Sequence, residues 1–389
     1  MGIGLKLLEL LLRQKLFGTG LKGTPNTPLI VSFAVTKACN LRCLHCHVSA
    51  KEALTDELNL REAMHAIDEM ANLGTEALIF SGGEPLLRKD FVLALAEYCV
   101  DLGIIPAMLS NGVLLSRKVA WELKEAGIMA VGIPIDSIVP ESHDRLRNVP
   151  GTFDKALKAI RACKEADLEV VITTMALKDT FEEIPKRIEY LAKLGIEQVA
   201  VYDLVPVGRG KDIMDQAMNQ TQRVQLIKYL QKMQEERDMV FTMSGGVPMF
   251  PEIVSEMHKH SDSKPRDLLL KQFWIHTPVG CHAGIVYFSL RPNGDVYPCT
   301  FLPIKVGNTR EQSLTDIWRN SKVLKELRER KLEGKCGECS FRGTCGGCRG
   351  RAYACSGNYL ETDPVCLQEL MEQQGILPAT VERFGWCVG

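Results

Sequence analysis

At 389 residues, with 46% hydrophobic and 24% charged residues, the chain has the composition of a globular protein and is long enough for two domains or a barrel with an appendage. Lys plus Arg number 47 against 48 Asp plus Glu, so a net charge of −1 removes the positive field that a nucleic-acid partner would need. Fourteen cysteines in a chain of this size, with no secretory leader pattern, exclude a small disulfide scaffold and read as metal ligands in a reducing, cytoplasmic compartment.

Residues 1–28 open with an apolar stretch, Leu5 to Leu12, that Lys6, Glu9, Arg13 and Lys15 interrupt well short of the roughly 20 apolar residues a membrane span needs. An amphipathic helix is expected there. It either packs on the rest of the protein or lays Leu7, Leu8, Leu11, Leu12 and Phe17 on a membrane surface as a peripheral contact, and packing is the preferred reading.

From residue 29 to 240 short apolar runs alternate with amphipathic segments. That rhythm belongs to a parallel sheet with crossover helices. Strands are expected over 29–35, 77–80, 105–109, 130–135, 169–174 and 198–203, and helices near 60–73, 91–102, 116–126, 152–166 and 182–194. Gly74, Gly103, Gly127 and Gly195 stand where helices should stop. Six βα units make an open barrel, and ligands in such folds gather at the carboxyl ends of the strands. Residues 211–240 look helical, 241–280 read as a linker or substrate-covering loop, 281–370 as a cysteine-rich domain that needs metal to fold, and 371–389 as a tail.

Directly after the first strand come Cys39, Cys43 and Cys46, three thiols within eight residues. Three local thiolates can hold three irons of a cubane and leave the fourth open to chemistry. Structural zinc wants four ligands, which His45 or His47 would have to complete. Gly82-Gly83-Glu84-Pro85 ends the second strand, Ser110-Asn111-Gly112 the third, and Asp136 the fourth, with His143-Asp144-Arg145-Leu146-Arg147 following. An amino-acid sulfonium chelating an open iron needs an acceptor for its ammonium and close backbone approach; Glu84 offers the first, Gly82 and Gly83 the second. His143 and Asp144 have an equal claim as a helix cap and a surface ion cluster.

The CxxxCxxC loop after the first strand of a βα repeat resembles the signature of the radical S-adenosylmethionine (SAM) superfamily. That resemblance implies an α/β partial (β/α)6 barrel, a SAM-binding [4Fe–4S] cluster on Cys39, Cys43 and Cys46, and SAM contacts from Gly82, Gly83, Glu84, Pro85, Ser110, Asn111, Asp136 and Arg147. It also implies a 5′-deoxyadenosyl radical that takes hydrogen from a substrate carbon, with electrons from a donor such as ferredoxin or flavodoxin.

Cys281 and Cys299 bracket the turn signal Asn293-Gly294, and Cys336, Cys339, Cys345, Cys348 and Cys366 follow. Seven cysteines so arranged resemble the SPASM domain, which implies one or two auxiliary [4Fe–4S] clusters. By that resemblance one cluster takes Cys281, Cys299 and Cys348, with His276, His282, Cys355 or an open iron completing it. The other takes Cys336, Cys339, Cys345 and Cys366. A zinc domain is the competing reading, although five residues between the CxxC pairs are fewer than zinc ribbons use. Cys99 and Cys163 lie in expected helices as plain core residues, and Cys387 has no assigned role.

Residues 203–211, 345–353 and 357–364 resemble the tetrapyrrole-modifying branch of the superfamily, which includes the Fe-coproporphyrin III decarboxylase, the didecarboxysiroheme deacetylase and the heme d1 enzyme. The resemblance implies oxidative removal of tetrapyrrole side chains, with Arg209 and Lys211 as candidates to face propionates. A peptide maturase is the rival enzyme reading. A non-catalytic electron-transfer or zinc protein is the reading outside enzymes, and Gly82, Gly83 and Glu84 speak against it.

Overall fold

A computed structural model describes residues 27–237, 239–244, 280–339, 342–343 and 345–366. Almost all of the expected N-terminal helix over 1–28, most of the covering segment over 241–280 with His276, and the tail over 371–389 with Cys387 lie outside these residues.

The six expected strands form, in order and in parallel: β1 (Ile30–Thr36), β2 (Ala77–Gly82), β3 (Ile105–Leu109), β4 (Ala130–Pro134), β5 (Glu169–Ala176) and β6 (Gln198–Asp203). Between them run α1 (Leu60–Asn72), α2 (Lys89–Asp101), α3 (Arg117–Glu125), α4 (Pro140–Arg147), α5 (Thr152–Glu165) and α6 (Ile184–Lys193). Capping residues set the boundaries. Asn59 and Glu62 close a capping box on α1, and Gly74, Gly103, Gly127 and Gly195 each follow a helix at positive φ. The carboxylate of Asp144 accepts from Gly151 N, Thr152 Oγ1 and Phe153 N at the start of α5, so its capping role is realised.

Two expectations need correcting. Residues 208–216 form 3₁₀ turns, and the helix expected from 211 begins later, as α7 (Gln220–Glu236) behind its own Asn219 and Gln222 capping box. The sheet also continues beyond six strands. β7 (Val240–Ser244) adds to β6, and β8 (Tyr287–Leu290), from the cysteine-rich region, pairs in parallel with β1. β9 (Asp295–Tyr297) and β10 (Gly307–Asn308) follow antiparallel, giving the order β10-β9-β8-β1-β2-β3-β4-β5-β6-β7. The β8–β9 hairpin turns at Asn293 and Gly294 as the sequence signals. Helices α8 (Leu314–Asn320), α9 (Lys322–Arg328), α10 (Gly334–Glu338) and α11 (Arg349–Ser356) complete the described chain.

Alternation along the strands separates two faces. Val31, Phe33, Leu78, Phe80, Met108, Val131, Ile133, Ile172, Val199, Val201, Phe241, Phe288 and Leu290 belong to one continuous core with the helices. The intervening positions mix small and polar residues, among them Ser32, Thr36, Ser81, Gly132, Thr173, Ala200, Tyr202, Thr242, Ser244, Tyr287 and Ser289, with the apolar Ile79, Leu109 and Val171. Ser32 and Ser81 share that second face, their hydroxyls 2.8 Å apart. This second face is the concave side of the sheet, and it carries most of the sheet's hydroxyl groups.

Candidate active site

The loop after β1 carries Cys39, Cys43 and Cys46, and its neighbours fasten it from three directions. Backbone amides point at two sulfurs, Leu41 N to Cys39 Sγ and Ala50 N to Cys46 Sγ, each at 3.4 Å. Arg147 Nη1 stands 3.9 Å from Cys43 Sγ, and Asn111 Nδ2 3.9 Å from Cys39 Sγ. Such N–H donors stabilise thiolate and tune any iron the sulfur holds. Without a cation, burial pushes the Cys39 thiol up to about 11 and raises Cys43 as well. Iron would invert that preference, because a coordinated thiol is deprotonated outright. Among the described residues no three His, Cys, Asp or Glu side chains converge as they would on a single metal ion. Three thiolates are a donor set that an iron–sulfur cluster uses, one short of the four ligands structural zinc takes.

The Gly82-Gly83-Glu84-Pro85 segment is stitched to the same loop: Gly83 N donates to Thr36 O at 2.7 Å and Glu84 N to Ala38 O at 2.8 Å. A Cβ on Gly83 would lie 1.9 Å from Ala38 O, and Gly82 sits at φ +129° with its missing Cβ 2.4 Å from Thr36 O. No other residue type lets β2 end so close to the cysteines. Pro85 is buried and starts the short 3₁₀ turn that follows.

Glu84 does something the sequence did not disclose. It is fully buried, and its carboxylate accepts from Ser110 Oγ (2.8 Å), Asn111 N (2.8 Å) and Leu86 N (3.1 Å). Burial raises its pKa to about 6 despite these donors. Three of the roughly four lone-pair sites of the carboxylate are thus used inside the protein. Glu84 ties the end of β2 to the turn after β3, and at most one acceptor site remains for an ammonium. Asn111 in turn donates to Asn40 Oδ1 at 2.7 Å, so the turn after β3 is latched to the cysteine loop.

Asp136 follows β4 and is 2% exposed. Arg147 meets its Oδ2 through Nε and Nη2, both at 2.7 Å, and Met175 N donates to Oδ1 at 2.9 Å. The carboxyl is held below the usual range by Arg147, against the cost of burial. His143, buried in α4, accepts from Asp136 N at 3.2 Å through Nδ1, so it is neutral, and burial takes its pKa down to about 4. The surface-cluster reading of His143 is thereby corrected. Asp136 and Arg147 form a pair whose guanidinium reaches from the end of β4 to Cys43.

Arg209, expected to face substrate, turns to the cysteine loop instead. Its Nε donates to Cys43 O at 2.7 Å, its Nη1 to Ala50 O at 3.1 Å, and its backbone N to Cys46 O at 2.9 Å. Gly208, at φ +57°, brings the segment so close that a Cβ would lie 2.4 Å from Cys46 O. Lys211 is exposed. The turn after β6 is a clamp on the three-thiol loop, a role the residue types alone do not announce.

In the C-terminal region Cys281 N donates to Cys345 O at 2.9 Å, and Arg330 Nη2 to Cys281 O at 3.0 Å. Cys299 feels Cys281, Cys348 feels Cys281, and Cys345 feels Cys336, so these sulfurs lie within electrostatic reach of one another. Arg349, fully buried, directs Nη2 at Cys336 Sγ (3.5 Å). Cys339 and Cys345 are half-buried, whereas Cys366, Cys355 and His282 are exposed. Cys99 and Cys163 are wholly buried in the helical layer, as expected. Cys348 packs with Val205, Val207 and Phe301 beyond β6, and the Phe301 ring lies 5.0 Å from that of His47, next to Cys46. The two cysteine regions thus meet through a ring pair.

An electrostatic lock fixes that meeting. Asp203 at the end of β6 takes Arg223 from α7 (2.8 and 3.1 Å) and Arg351 from α11 (3.0 Å), and Arg351 also reaches both oxygens of Asp363 at 3.4 Å. Asp363 accepts Cys348 N at 2.7 Å. All four charged residues are buried and the charges cancel.

A parallel α/β sheet with three thiols on the loop after β1, latched to a Gly-Gly-Glu turn, defines a radical SAM protein. Residues 33–191 match the radical SAM superfamily, and residues 281–340 match SPASM, an iron–sulfur cluster-binding domain. The AdoMet-dependent heme synthase of Methanosarcina barkeri is 34% identical over 88% of this chain and 97% of that protein. The mycofactocin maturase MftC of Mycobacterium tuberculosis is 29% identical over 88% of this chain and 84% of its own length. The crystal structure of Streptococcus suis SuiB bound to S-adenosylmethionine superposes with a TM-score of 0.70 at 19% identity, over 88% of this chain and 77% of SuiB, and shows the shared fold. The chain belongs to the radical SAM superfamily. It is a radical SAM enzyme whose cofactors are a [4Fe–4S] cluster, SAM and auxiliary iron–sulfur clusters. No helix among the described residues is long and apolar enough to cross a membrane.

Proposed function

We propose that this enzyme carries out oxidative decarboxylation, or a related side-chain removal, on a tetrapyrrole in heme or heme d1 formation. The observation that carries this reading is the 34% identity to a heme synthase along 97% of that protein, which leaves no large part of the relative without a counterpart here. The concave face offers hydroxyls at Ser32, Ser81, Tyr202, Tyr287 and Ser289 beside apolar Ile79 and Leu109, a mixed lining that suits a large amphipathic substrate.

Cys39, Cys43 and Cys46 would hold the SAM-binding cluster. Bound cluster and SAM supply a 5′-deoxyadenosyl radical that removes a hydrogen atom from the substrate. Gly82 and Gly83 admit the methionine end of SAM, Glu84 orients the Ser110-Asn111 turn beneath it, and Asp136 and Arg147 position the loop at Cys43. Cys281, Cys299 and Cys348 would hold one auxiliary cluster, and Cys336, Cys339, Cys345 and Cys366 another. Loss of a hydrogen atom, carbon dioxide and one electron from a propionate leaves a vinyl group, and an auxiliary cluster held by these cysteines would be a one-electron acceptor for that step. A one-electron donor such as ferredoxin or flavodoxin would supply the SAM cluster.

The test is anaerobic reconstitution with iron, sulfide, SAM and a one-electron reductant, then mass spectrometry on Fe-coproporphyrin III and didecarboxysiroheme. Loss of carbon dioxide and two hydrogens per propionate, or loss of an acetate side chain, is expected beside 5′-deoxyadenosine. If both tetrapyrroles return unchanged while 5′-deoxyadenosine accumulates, the reading fails. The match to a peptide maturase, at lower identity, then makes a peptide the next substrate class to test.

A further inference from the structure

The covered arginines of the barrel spend their donors on protein partners: Arg147 meets Asp136, Arg187 Glu183, Arg223 Asp203, and Arg209 the carbonyls of Cys43 and Ala50. The exception is Arg291, the first residue beyond β8. Strand alternation places it on the concave face with Tyr287 and Ser289, at the carboxyl end where the cysteine loop also lies. Its guanidinium donates through Nη2 to Thr300 O at 3.1 Å and lies 4.5 Å over the Tyr297 ring. Asp295, the nearest acid, is engaged by Lys305 and Asn308, both at 2.8 Å. Among the described residues Arg291 makes no ion pair, and only one of its five N–H groups has a protein acceptor.

Of the arginines beyond β8 without a carboxylate, Arg328 bonds the carbonyls of Gly284 and Trp318, while Arg330 and Arg349 lie beside auxiliary thiols, Arg330 donating to Cys281 O and Arg349 to Tyr359 O and Glu361 O. Arg330 and Arg349 are 8% and 0% exposed, whereas Arg291 is only partly covered. Around it stand Tyr287, His47 and Cys299. Tyr287 in turn neighbours Tyr202 and hydrogen-bonds Ser32 across the face. A largely covered cation with four N–H groups that lack a protein acceptor, beside the phenols of Tyr287 and Tyr297, lacks an anion of bidentate shape.

We propose that Arg291 is a specificity-determining residue that binds a substrate carboxylate at the mouth of the barrel, between the three-thiol loop and the Cys299 turn. The inference rests on the tetrapyrrole reading for the identity of that carboxylate, a propionate. It adds a named binding point and a reason why a polycarboxylate porphyrin enters the site propionate first.

The experiment uses the reconstituted holoenzyme, with coproporphyrin III titrated and followed by its Soret band, in parallel with its tetramethyl ester. R291Q should bind the free acid about tenfold or more weakly, while the ester binds wild type and variant alike. The iron content and the electron paramagnetic resonance of the reduced clusters should match wild type. Equal affinity of R291Q and wild type for the free acid overturns the role of Arg291 alone. Loss of an auxiliary-cluster signal in R291Q assigns the arginine to charge balance at Cys299 and also overturns it. A wild-type protein that binds no porphyrin removes the tetrapyrrole reading, and this inference with it.

Discussion

At the scale of single residues, the buried ionisable groups predict how the protein responds to acid. His143 has its pKa lowered to about 4 by burial, against 6.5 in an exposed chain. Between those values the unfolded state binds a proton that the folded state does not, so stability rises with pH through that window and falls as pH drops from about 6.5 toward 4. Integrated over the shift this is about 3 kcal/mol, an upper figure because local opening relieves part of it. Denaturant midpoints measured from pH 4.5 to 7 should show this slope, and His143→Asn should reduce it by about one proton. Asp136 works in the other sense of charge but toward the same limb. Its depressed carboxyl contributes stability above its unfolded pKa and loses it as pH falls through the folded one. Asp136→Asn leaves Arg147 buried without its counter-charge, which costs about 3–5 kcal/mol by comparison with broken buried pairs. Thermal melts at pH 7 check that loss. The residue types themselves were legible in the sequence, since Cys39, Cys43, Cys46, Gly82, Gly83, Ser110 and Asn111 all lie at the expected strand ends. Their partners were not, because hydrogen bonds such as Glu84 to Ser110 span 26 residues and have no local pattern.

At the scale of elements, helix stops and strand runs were readable because each has a local cause: glycine at positive φ after α1, α2, α3 and α6, and short apolar runs in β1 to β6. The late elements were legible only in part: Asn293-Gly294 signalled the β8–β9 turn, but nothing local announced β7 or the pairing of β8 with β1. β7 follows α7 with no glycine to announce it, and β8 is a four-residue strand whose partner β1 lies more than 250 residues earlier. The turn after β6 shows how function hides at this scale, since Gly208-Arg209-Gly210 looks like a basic surface loop and is a clamp. Gly208→Ala adds a Cβ 2.4 Å from Cys46 O at a left-handed backbone position. The three-thiol loop must then move, and reconstituted protein should lose about four of roughly twelve irons while keeping the auxiliary signals. The lock at β6 makes a separate prediction. Arg351→Met strands Asp363 in the interior and loosens the backbone amide of Cys348, so it should destabilise by about 3–5 kcal/mol and lower auxiliary iron first. Replacing Arg351 and Asp363 together with apolar residues should recover much of the stability, because burying an ion pair gains little over burying hydrocarbon. A double-mutant cycle of unfolding free energies measures the difference.

At the scale of the whole molecule, the sequence suggests a barrel ending near 240 and a metal-dependent domain starting at 281, yet the hydrophobic core ignores that division. Phe288 and Leu290 of β8, Val296 of β9 and Trp318 of α8 belong to the same buried cluster as Val31, Phe33 and Ile67. Arg310 reaches back to Glu62 on α1, and Leu314 N donates to Glu69 on the same helix. A chain cut after residue 279 would therefore uncover the β1 edge and the faces of Phe33 and Ile67 together. Each large side chain so exposed forfeits about 1.5–3 kcal/mol, and a handful exceed the 5–15 kcal/mol by which domains are usually stable. The truncated chain should accumulate in the insoluble fraction, with an unpaired parallel edge open to aggregation. Full-length holoenzyme should melt in calorimetry with the barrel and the β8–β10 region in one transition, because they share one core. Iron chelation should lower that transition rather than split off an intact barrel at an unchanged temperature. Two independent peaks, one insensitive to chelation, would instead make the expected boundary at 281 a physical one and leave β8 as a docked strand rather than a structural member of the sheet.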